Sequence, residues 1–299
     1  VAVERERPLV GPVELRSLPV HAVAVEPRRP VEAVPLVGPP PVHADVEQRA
    51  VRGPVARHLA LGGPPVWAAP ADVAAAVANS SARSEANLKL DESRKPADLL
   101  AFFGLERGMQ VIDMFGANRY WAEIIAPAIG PEGRLIVWQP TQFMNDKRKA
   151  EFDAFAAKAG NTALITTPFE APMLGTNAYD FMIMNLDYHD VYWSNEERKI
   201  ARMEPDAWLA RLYAAMKPGA VLGIVHHAPN PGGDTREVVE KLHRIDPAVV
   251  KADFARAGFV LEGESDLLRN PADDRSLNVF EDAIRGKTDR FVLKFRKPR

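Results

Sequence analysis

Short apolar runs alternate with amphipathic stretches from Ala71 onward, and this alternation predicts the fold class. Seven runs predict strands at Met109–Met114, Arg134–Trp138, Ala163–Thr166, Tyr179–Asn185, Ala220–His226, Phe259–Ser265 and Phe291–Arg296. The stretches between them predict helices at Tyr120–Ile129, Lys147–Ala159, Pro205–Met216, Thr235–His243 and Pro247–Ala257. Strands that are apolar throughout are typical of parallel sheets covered on both faces. We therefore expect an α/β fold with a seven-stranded, mostly parallel sheet and helices on both faces.

The two ends of this region depart from the alternation. No helix is predicted after Ala257, so the last two strands, joined by the polar loop Asp266–Asp289, are expected to form an antiparallel pair at one sheet edge. Before the first strand, residues 71–104 predict short N-terminal helices. The last of these has Pro96 in its first turn and Gly104 at its end, which is the usual order of these two residues in a helix.

Residues 1–70 have a different composition. They hold 13 of the 26 prolines and no Phe, Tyr or Met, and Trp67 is their one aromatic residue. Proline at this density interrupts helices and sheets, so we expect a disordered or loosely extended segment ahead of a folded domain at 71–299.

Two other interpretations of this segment stay open. The chain opens on Val1 and has no methionine before Met109, which is consistent with a segment that is not native sequence. Ala69-Pro70-Ala71 fits the small-x-small pattern of a signal-peptidase site, as in an exported form. The preceding stretch, however, is short and rich in proline for an apolar signal-peptide core.

Composition excludes several classes of function. The 38 basic and 40 acidic residues nearly cancel, so no net field attracts nucleic acid or an anionic membrane. The absence of cysteine excludes disulfides, zinc–thiolate sites and thiol nucleophiles. No apolar run approaches the roughly 18 residues that a membrane span needs.

Several stretches resemble a known family. The closing antiparallel pair and "MKPGAVLGIV", with its turn Lys217–Ala220, resemble the class I S-adenosylmethionine-dependent methyltransferases. Within that class, "RKPADLLAFFGLERGMQVIDMF", "YDFMIMNLDYHDVYW" and "IRGKTDRFVLKFRKP" resemble a family of uncharacterised predicted bacterial methyltransferases. The resemblance covers about residues 71–298. It implies a Rossmann-like fold, S-adenosyl-L-methionine as the cofactor and methyl transfer to a small-molecule nucleophile. The cytoplasm, where that cofactor is made, is the favoured compartment.

The resemblance also implies where the cofactor binds. In this class an acidic residue ends the first strand, and glycines follow that let the cofactor approach the backbone. The corresponding stretch here is "VIDMFGANRYWAEII", which keeps one glycine, while Ala117, Asn118 and Arg119 replace others. The second strand ends at Gln139 where the class usually has an acidic ribose ligand. The expected cofactor-binding residues are Asp113, Gly116, Ala117, Asn118, Tyr120, Gln139 and Asn185.

Candidate catalytic groups follow the fourth and fifth strands. "NLDYHDVYW" places Asp187 beside His189, and a carboxylate near a histidine can orient it as a general base. His226 and His227 end the fifth strand and point to opposite faces, so one of them is expected to face the cleft. We predict His189 as the base, His227 as the alternative and Asp187 as a supporting group. A metal site from Asp187, His189 and one of the pair is conceivable, but no spacing fixes it and none is predicted.

Two functions remain open at this level. The first is methyl transfer. The second is a non-catalytic binding or interaction protein that kept the fold and lost its glycine loop, because a fold does not determine a function. A plain polar turn with buried aromatic side chains would explain "NLDYHDVYW" in the second case.

Overall fold

The computed structural model describes residues 69–299. In this part of the chain seven strands form one sheet in the order β3-β2-β1-β4-β5-β7-β6. The strands are β1 (Gln110–Met114), β2 (Arg134–Pro140), β3 (Thr162–Thr167), β4 (Tyr179–Asn185), β5 (Met216–His227), β6 (Val260–Ser265) and β7 (Arg290–Arg296).

Nine α-helices belong to the same described region. They are α1 (Val73–Ala78), α2 (Glu85–Leu88), α3 (Asp91–Arg94), α4 (Pro96–Phe103), α5 (Ala122–Ala128), α6 (Asp146–Ala159), α7 (Pro205–Ala215), α8 (Thr235–Leu242) and α9 (Pro247–Arg256). Short 3-10 turns follow three of the strands, at Gly116–Asn118, Thr141–Phe143 and Tyr188–Val191.

Strand directions confirm the predicted fold class. β1 pairs in parallel with β2 and with β4, and the parallel pairing continues to β3 on one side and β5 on the other. β7 runs antiparallel to both β5 and β6. The strand order reverses between β1 and β4, because β2 and β3 lie on one side of this pair and β5 lies on the other.

Both faces of the central strands are buried, as the continuous apolar strands predict. Val111 and Phe181 face a cluster built with α1, α4, α5 and α6. Ile112 and Met182 face the opposite cluster, built with α7 and α9. Adjacent strand residues therefore belong to two separate apolar layers.

The N-terminal helices are tied to the first strand–helix unit through Asp91. Its carboxylate accepts two hydrogen bonds from the Arg83 guanidinium, at 2.5 and 2.7 Å, and one from the Tyr120 hydroxyl at 2.8 Å. Tyr120 is fully buried. This network fixes α3 against the residues that follow β1.

Three details differ from the sequence predictions or lie outside them. β5 begins at Met216, so Lys217–Ala220 is an irregular start of the strand rather than a turn before it, and the register with β4 shifts there. The interpretation of residues 1–70 as disordered falls almost wholly outside the described residues. Within 69–299, no helix combines the length and the apolar character that crossing a membrane requires.

We predict that Gly223→Ala destabilises the fold. A Cβ at Gly223 on β5 would lie 2.5 Å from the Phe103 ring, which is fully buried on α4. Overpacking of this kind typically lowers the free energy of unfolding by about 1–3 kcal/mol, which urea denaturation would measure.

Gly263→Ala is the matched control. This glycine lies on β6 and faces Phe102, also on α4, but its Cβ would lie 3.4 Å from that ring. We expect a much smaller loss of stability for the control. Equal losses in both variants would contradict the steric explanation.

Candidate functional site

A cleft of about 700 Å³ lies at the carboxyl ends of β1, β4 and β5. This is the point where the strand order reverses, and open α/β sheets bind ligands at such points. The residues that line it are Arg94, Asn118, Phe143, Asn185, Leu186, Asp187, His189, Asp190, Trp193, Asn195, Glu197, Arg198, His227, His243, Val279 and Phe280.

The loop after β1 turns without the usual glycines. Phe115 (φ 60°) and Arg119 (φ 69°) both adopt the left-handed conformation that glycine normally supplies. The Phe115 ring packs edge-on against Trp138 and Phe169, with centroids 5.1 and 5.3 Å away. Aromatic packing therefore holds one end of the loop in a conformation that is unfavourable for its residue type.

The backbone of the loop is also held from the second strand. The amide of Ala117 donates to Oε1 of Gln139 at 3.1 Å, and both residues are buried. The loop's Asn118 accepts from the Tyr120 amide at 2.9 Å and lines the cleft. Gln139 thus supports the loop and does not line the cleft.

Gly116 is required by its contact with Asp113. A Cβ at Gly116 would overlap the Asp113 carboxylate. That carboxylate is buried, and neither of its oxygens has a hydrogen-bond partner among the described residues. Burial raises the pKa of Asp113 well above its usual range, and nearby Arg94 opposes that rise.

The 3-10 turn after β4 is anchored by hydrogen bonds to α9. The hydroxyls of Tyr188 and Tyr192 both donate to Oδ2 of Asp253 on α9, at 2.7 and 2.5 Å. With the two tyrosines held in this way, the intervening residues His189 and Asp190 reach the cleft.

All four histidines of the described region lie together at this end of the sheet. Nδ1 of His189 is 2.9 Å from Nε2 of His226, and Nε2 of His189 is 2.9 Å from Nδ1 of His243. Nε2 of His189 also lies 3.2 Å from Oδ1 of Asp190. Both ring nitrogens of His189 are therefore already engaged by neighbouring side chains.

Burial dominates the electrostatics of this cluster. It lowers the pKa of His189 to about 3 and raises the pKa of Asp190 to about 7. The contact between these two side chains is therefore not an ion pair at neutral pH. Burial also raises the pKa of Asp187 well above its usual range, and the carboxyl groups of Asp190 and Asp113 raise it further.

His227 is held differently from His189. Its Nδ1 lies 2.6 Å from the Thr288 hydroxyl, while its Nε2 makes no hydrogen bond to the described residues. The residue is buried, and burial, together with nearby cationic or histidine side chains, lowers the pKa of His227 well below its usual value. A neutral ring with one nitrogen free of hydrogen bonds therefore lines the cleft.

Arg94 supplies positive charge to the lining of the cleft. Its guanidinium lies over the Tyr120 ring, 4.2 Å from the centroid. Among residues 69–299 no carboxylate lies within ion-pair distance of it. Burial lowers the pKa of Arg94, although four neighbouring acidic groups partly offset that effect.

The structure brings together some of the residues that the sequence predicts. Those on the cleft wall are Asn118, Asn185, Asp187, His189 and His227. Those behind the wall, within the loop and its supports, are Asp113, Gly116, Ala117, Tyr120 and Gln139. Sequence reasoning missed Arg94 and His243, and it named Asp190 only as one of several acceptors after the fourth strand. Asp190 stood in the quoted stretch beside His189, whereas His243 lies 54 residues away along the chain.

We predict that Gly116→Ala destabilises the protein only while Asp113 keeps its carboxylate. The added methyl would displace a buried side chain, and overpacking typically lowers the free energy of unfolding by about 1–3 kcal/mol. In an Asp113→Ala background the same change should have little effect, because the overlapping group is gone. Additive effects in this double-mutant cycle, measured by urea denaturation, would refute the contact.

Comparisons with solved structures find several methyltransferases that are similar to this chain at low sequence identity. One solved structure, a S-adenosylmethionine-dependent methyltransferase from Aquifex aeolicus, has a TM-score of 0.49 and 17% identity, with 76% of this chain and 98% of that chain covered. A second S-adenosylmethionine-dependent methyltransferase, from Mesorhizobium loti, has a TM-score of 0.47 and 13% identity, with 69% of this chain and 99% of that chain covered.

A third solved structure was determined with ligands. It is the 1,6-didemethyltoxoflavin-N1-methyltransferase of Burkholderia thailandensis with bound 1,6-didemethyltoxoflavin and S-adenosylhomocysteine. The TM-score is 0.45 and the identity is 15%, with 74% of this chain and 82% of that chain covered.

No family model matches this sequence, and no curated protein matches it either. The fold conclusion rests on the strand order and on the antiparallel β7 between β5 and β6. The chain has a Rossmann-like α/β fold with a seven-stranded, mostly parallel sheet that ends in an antiparallel strand pair.

Proposed function

We propose that the protein transfers a methyl group from S-adenosylmethionine to a small-molecule nucleophile. The observation that carries this proposal is the cleft at the strand-order reversal, where Asn118, Asn185 and Asp187 meet His227. Its volume of about 700 Å³ lies within the usual range for small-molecule sites, about 300–1,000 Å³.

The residues present fit this cofactor. Its amino-acid end carries a carboxylate, and Arg94 offers a guanidinium without a carboxylate partner in the described region. The unpartnered oxygens of Asp113 lie beneath the same loop. Buried polar groups are normally satisfied, so an orphaned carboxylate at this position is consistent with a missing ligand or bound water.

Individual roles follow from side-chain chemistry. Arg94 would pair with the cofactor's carboxylate, since charge-assisted guanidinium–carboxylate bonds are strong and directional. Asn118 and Asn185 offer amide groups for ribose or amino hydrogen bonds, and the Phe143 ring offers an apolar wall. Gln139, which was expected to bind ribose, would act indirectly by holding the loop amide of Ala117.

When bound, S-adenosylmethionine supplies an electrophilic methyl group. The chain's own task is to align the acceptor and take up its proton. An attacking hydroxyl or amine becomes strongly acidic as it gains the methyl group, so a weak base is sufficient. A neutral His227, held through Nδ1 by Thr288 and free of hydrogen bonds to the described residues at Nε2, meets this requirement.

His189 fits the role of base less well than the sequence suggests. Its two ring nitrogens face His226 and His243, so neither is available to an acceptor in this arrangement. We therefore assign proton acceptance to His227 and keep Asp187 as a polar contact for the acceptor. A non-catalytic binding protein is the second candidate, because Ala117, Asn118 and Arg119 replace glycines in the loop.

We predict that the full chain binds S-adenosylhomocysteine and that Arg94→Gln weakens this binding at least tenfold. A charge-assisted hydrogen bond contributes about 1.5–3 kcal/mol, and each 1.4 kcal/mol is a tenfold change in affinity. Isothermal titration calorimetry measures both. Arg134→Gln, at the exposed start of β2, is the control and should bind like the native chain. The absence of binding to the native chain would favour the non-catalytic alternative.

We predict that His227→Ala loses about 10²–10⁴-fold of its methyl-transfer rate and keeps its affinity for S-adenosylhomocysteine. The assay follows labelled methyl groups from S-adenosylmethionine into a filtered small-molecule extract. Free imidazole in the buffer should restore part of the rate, because it replaces the missing base. Full activity in His227→Ala, or no rescue in a folded variant, would show that another group accepts the proton.

A further inference from the structure

Three side chains with metal-binding atoms converge on one wall of the cleft. They are His189, Asp190 and His243, and one donor atom from each lies within 4.8 Å of the others. Two come from the 3-10 turn after β4, and the third follows α8. We propose that these three residues bind a divalent transition-metal ion of the zinc class.

The donor set matches that class of ion. Two imidazoles and one carboxylate suit zinc and its first-row neighbours, whereas magnesium and calcium prefer sites built from oxygen. Catalytic zinc sites commonly use three protein ligands and leave a fourth position open. His189, Asp190 and His243 provide such a set.

The distances are close to those of a metal-bound site. Two ligands held by zinc at about 2.0–2.1 Å lie about 3.3 Å apart in a tetrahedral arrangement. Nε2 of His189 lies 3.2 Å from Oδ1 of Asp190 and 2.9 Å from Nδ1 of His243. Two of the three donor pairs therefore lie within a few tenths of an ångström of that spacing, and the third pair lies within 4.8 Å.

The surroundings of His243 also fit a binding site. This residue ends α8 in a left-handed backbone conformation (φ 52°), which is a common way for a helix to terminate. Its ring packs against Trp193 and Phe280, with centroids 5.6 and 4.9 Å away. Both aromatic residues line the cleft, so the open side of the site faces the cleft and an apolar rim surrounds it.

His226 completes the site from behind. Metal-binding histidines usually donate their other ring N–H to a fixed acceptor. The ring Nδ1 and the backbone amide of His189 both face Nε2 of His226, at 2.9 and 3.2 Å. If that nitrogen accepts, the His189 proton sits on Nδ1 and its Nε2 is free for the metal. The His227 amide donates to Nδ1 of His226 at 2.8 Å. In the tautomer of His226 that carries its proton on Nε2, that nitrogen would donate to Nδ1 of His189. The proton of His189 would then sit on Nε2 and block metal binding there.

The site is distinct from the cofactor and base assignments. Arg94, Asn118 and Asn185 carry the cofactor proposal, and His227 carries the base proposal, and none of these is a metal ligand here. The inference therefore holds whether or not the chain transfers methyl groups.

Cobalt(II) and zinc(II) are the probes. Titration of the full chain, freed of metal by a chelator, with Co²⁺ should produce visible d–d absorption typical of four- or five-fold coordination. Zn²⁺ should abolish that absorption by displacing the cobalt. Asp190→Asn and His243→Asn should each weaken Zn²⁺ binding more than about 100-fold, because even the loss of an outer-shell partner costs about 10–100-fold. Asparagine is chosen at His243 because it tolerates a left-handed backbone.

His227→Ala is the matched control, because it removes an imidazole from the same cleft but not from the proposed site. It should bind Zn²⁺ like the native chain. His21, His43 and His58 are present in every variant, so binding that survives both Asp190→Asn and His243→Asn would place the ion at other residues and overturn the proposal. If Mg²⁺ at equal concentration displaced Zn²⁺, the assignment of the site to an ion of the zinc class would be wrong. A native chain that binds neither probe would support the hydrogen-bonded histidine cluster instead.

Discussion

The parallel pairing of β1 with β4 is the constraint on which the rest of this structure depends. It places the strand that ends near Asp113 beside the strand that ends at Asn185, and the connections from the two strands leave in opposite directions. A cleft must open where these connections separate. The proposed ligands and the proposed base lie at or just after the ends of β1, β4 and β5, or on α3 and at the end of α8, which border the same cleft.

The loop after β1 turns sharply although side chains occupy its left-handed positions. The left-handed positions fall on Phe115 and Arg119, where a side chain is unfavourable. Outside contacts offset that strain. The Phe115 ring is buried against Trp138, and the Arg119 guanidinium donates to the backbone oxygen of Glu151 at 3.0 Å. Gly116 remains because the Asp113 carboxylate occupies the space of its Cβ. Of the residues in this loop, Asn118 lines the cleft, whereas Phe115, Gly116, Ala117 and Arg119 do not.

Periodicity predicts the sheet well because burial on both faces leaves a strong local signal, as in Val111 and Ile112. It predicts the site only in part. His189 and Asp187 follow a strand directly, so topology alone places them at the cleft. His243 joins them through the packing of α8 and a left-handed backbone, neither of which has a local signature. Gln139 was expected at the cofactor because it ends the second strand, where the family that the chain resembles usually has a ribose ligand. The side-chain direction that turns it toward Ala117 is a tertiary property without a local signature.

The buried polar groups at the cleft are hard to explain as supports for the fold. Burial disfavours the charged forms of Asp113, Asp187 and Asp190, and their pKa values rise accordingly. Replacing such groups with apolar side chains of similar size is often neutral or stabilising. Elsewhere at this sheet end Asp253 is also buried, yet two tyrosine hydroxyls satisfy it. The contrast separates a carboxylate that holds a turn in place from Asp113, whose two oxygens have no partner among the described residues. Perturbed titratable groups at a cleft are candidates for a functional site.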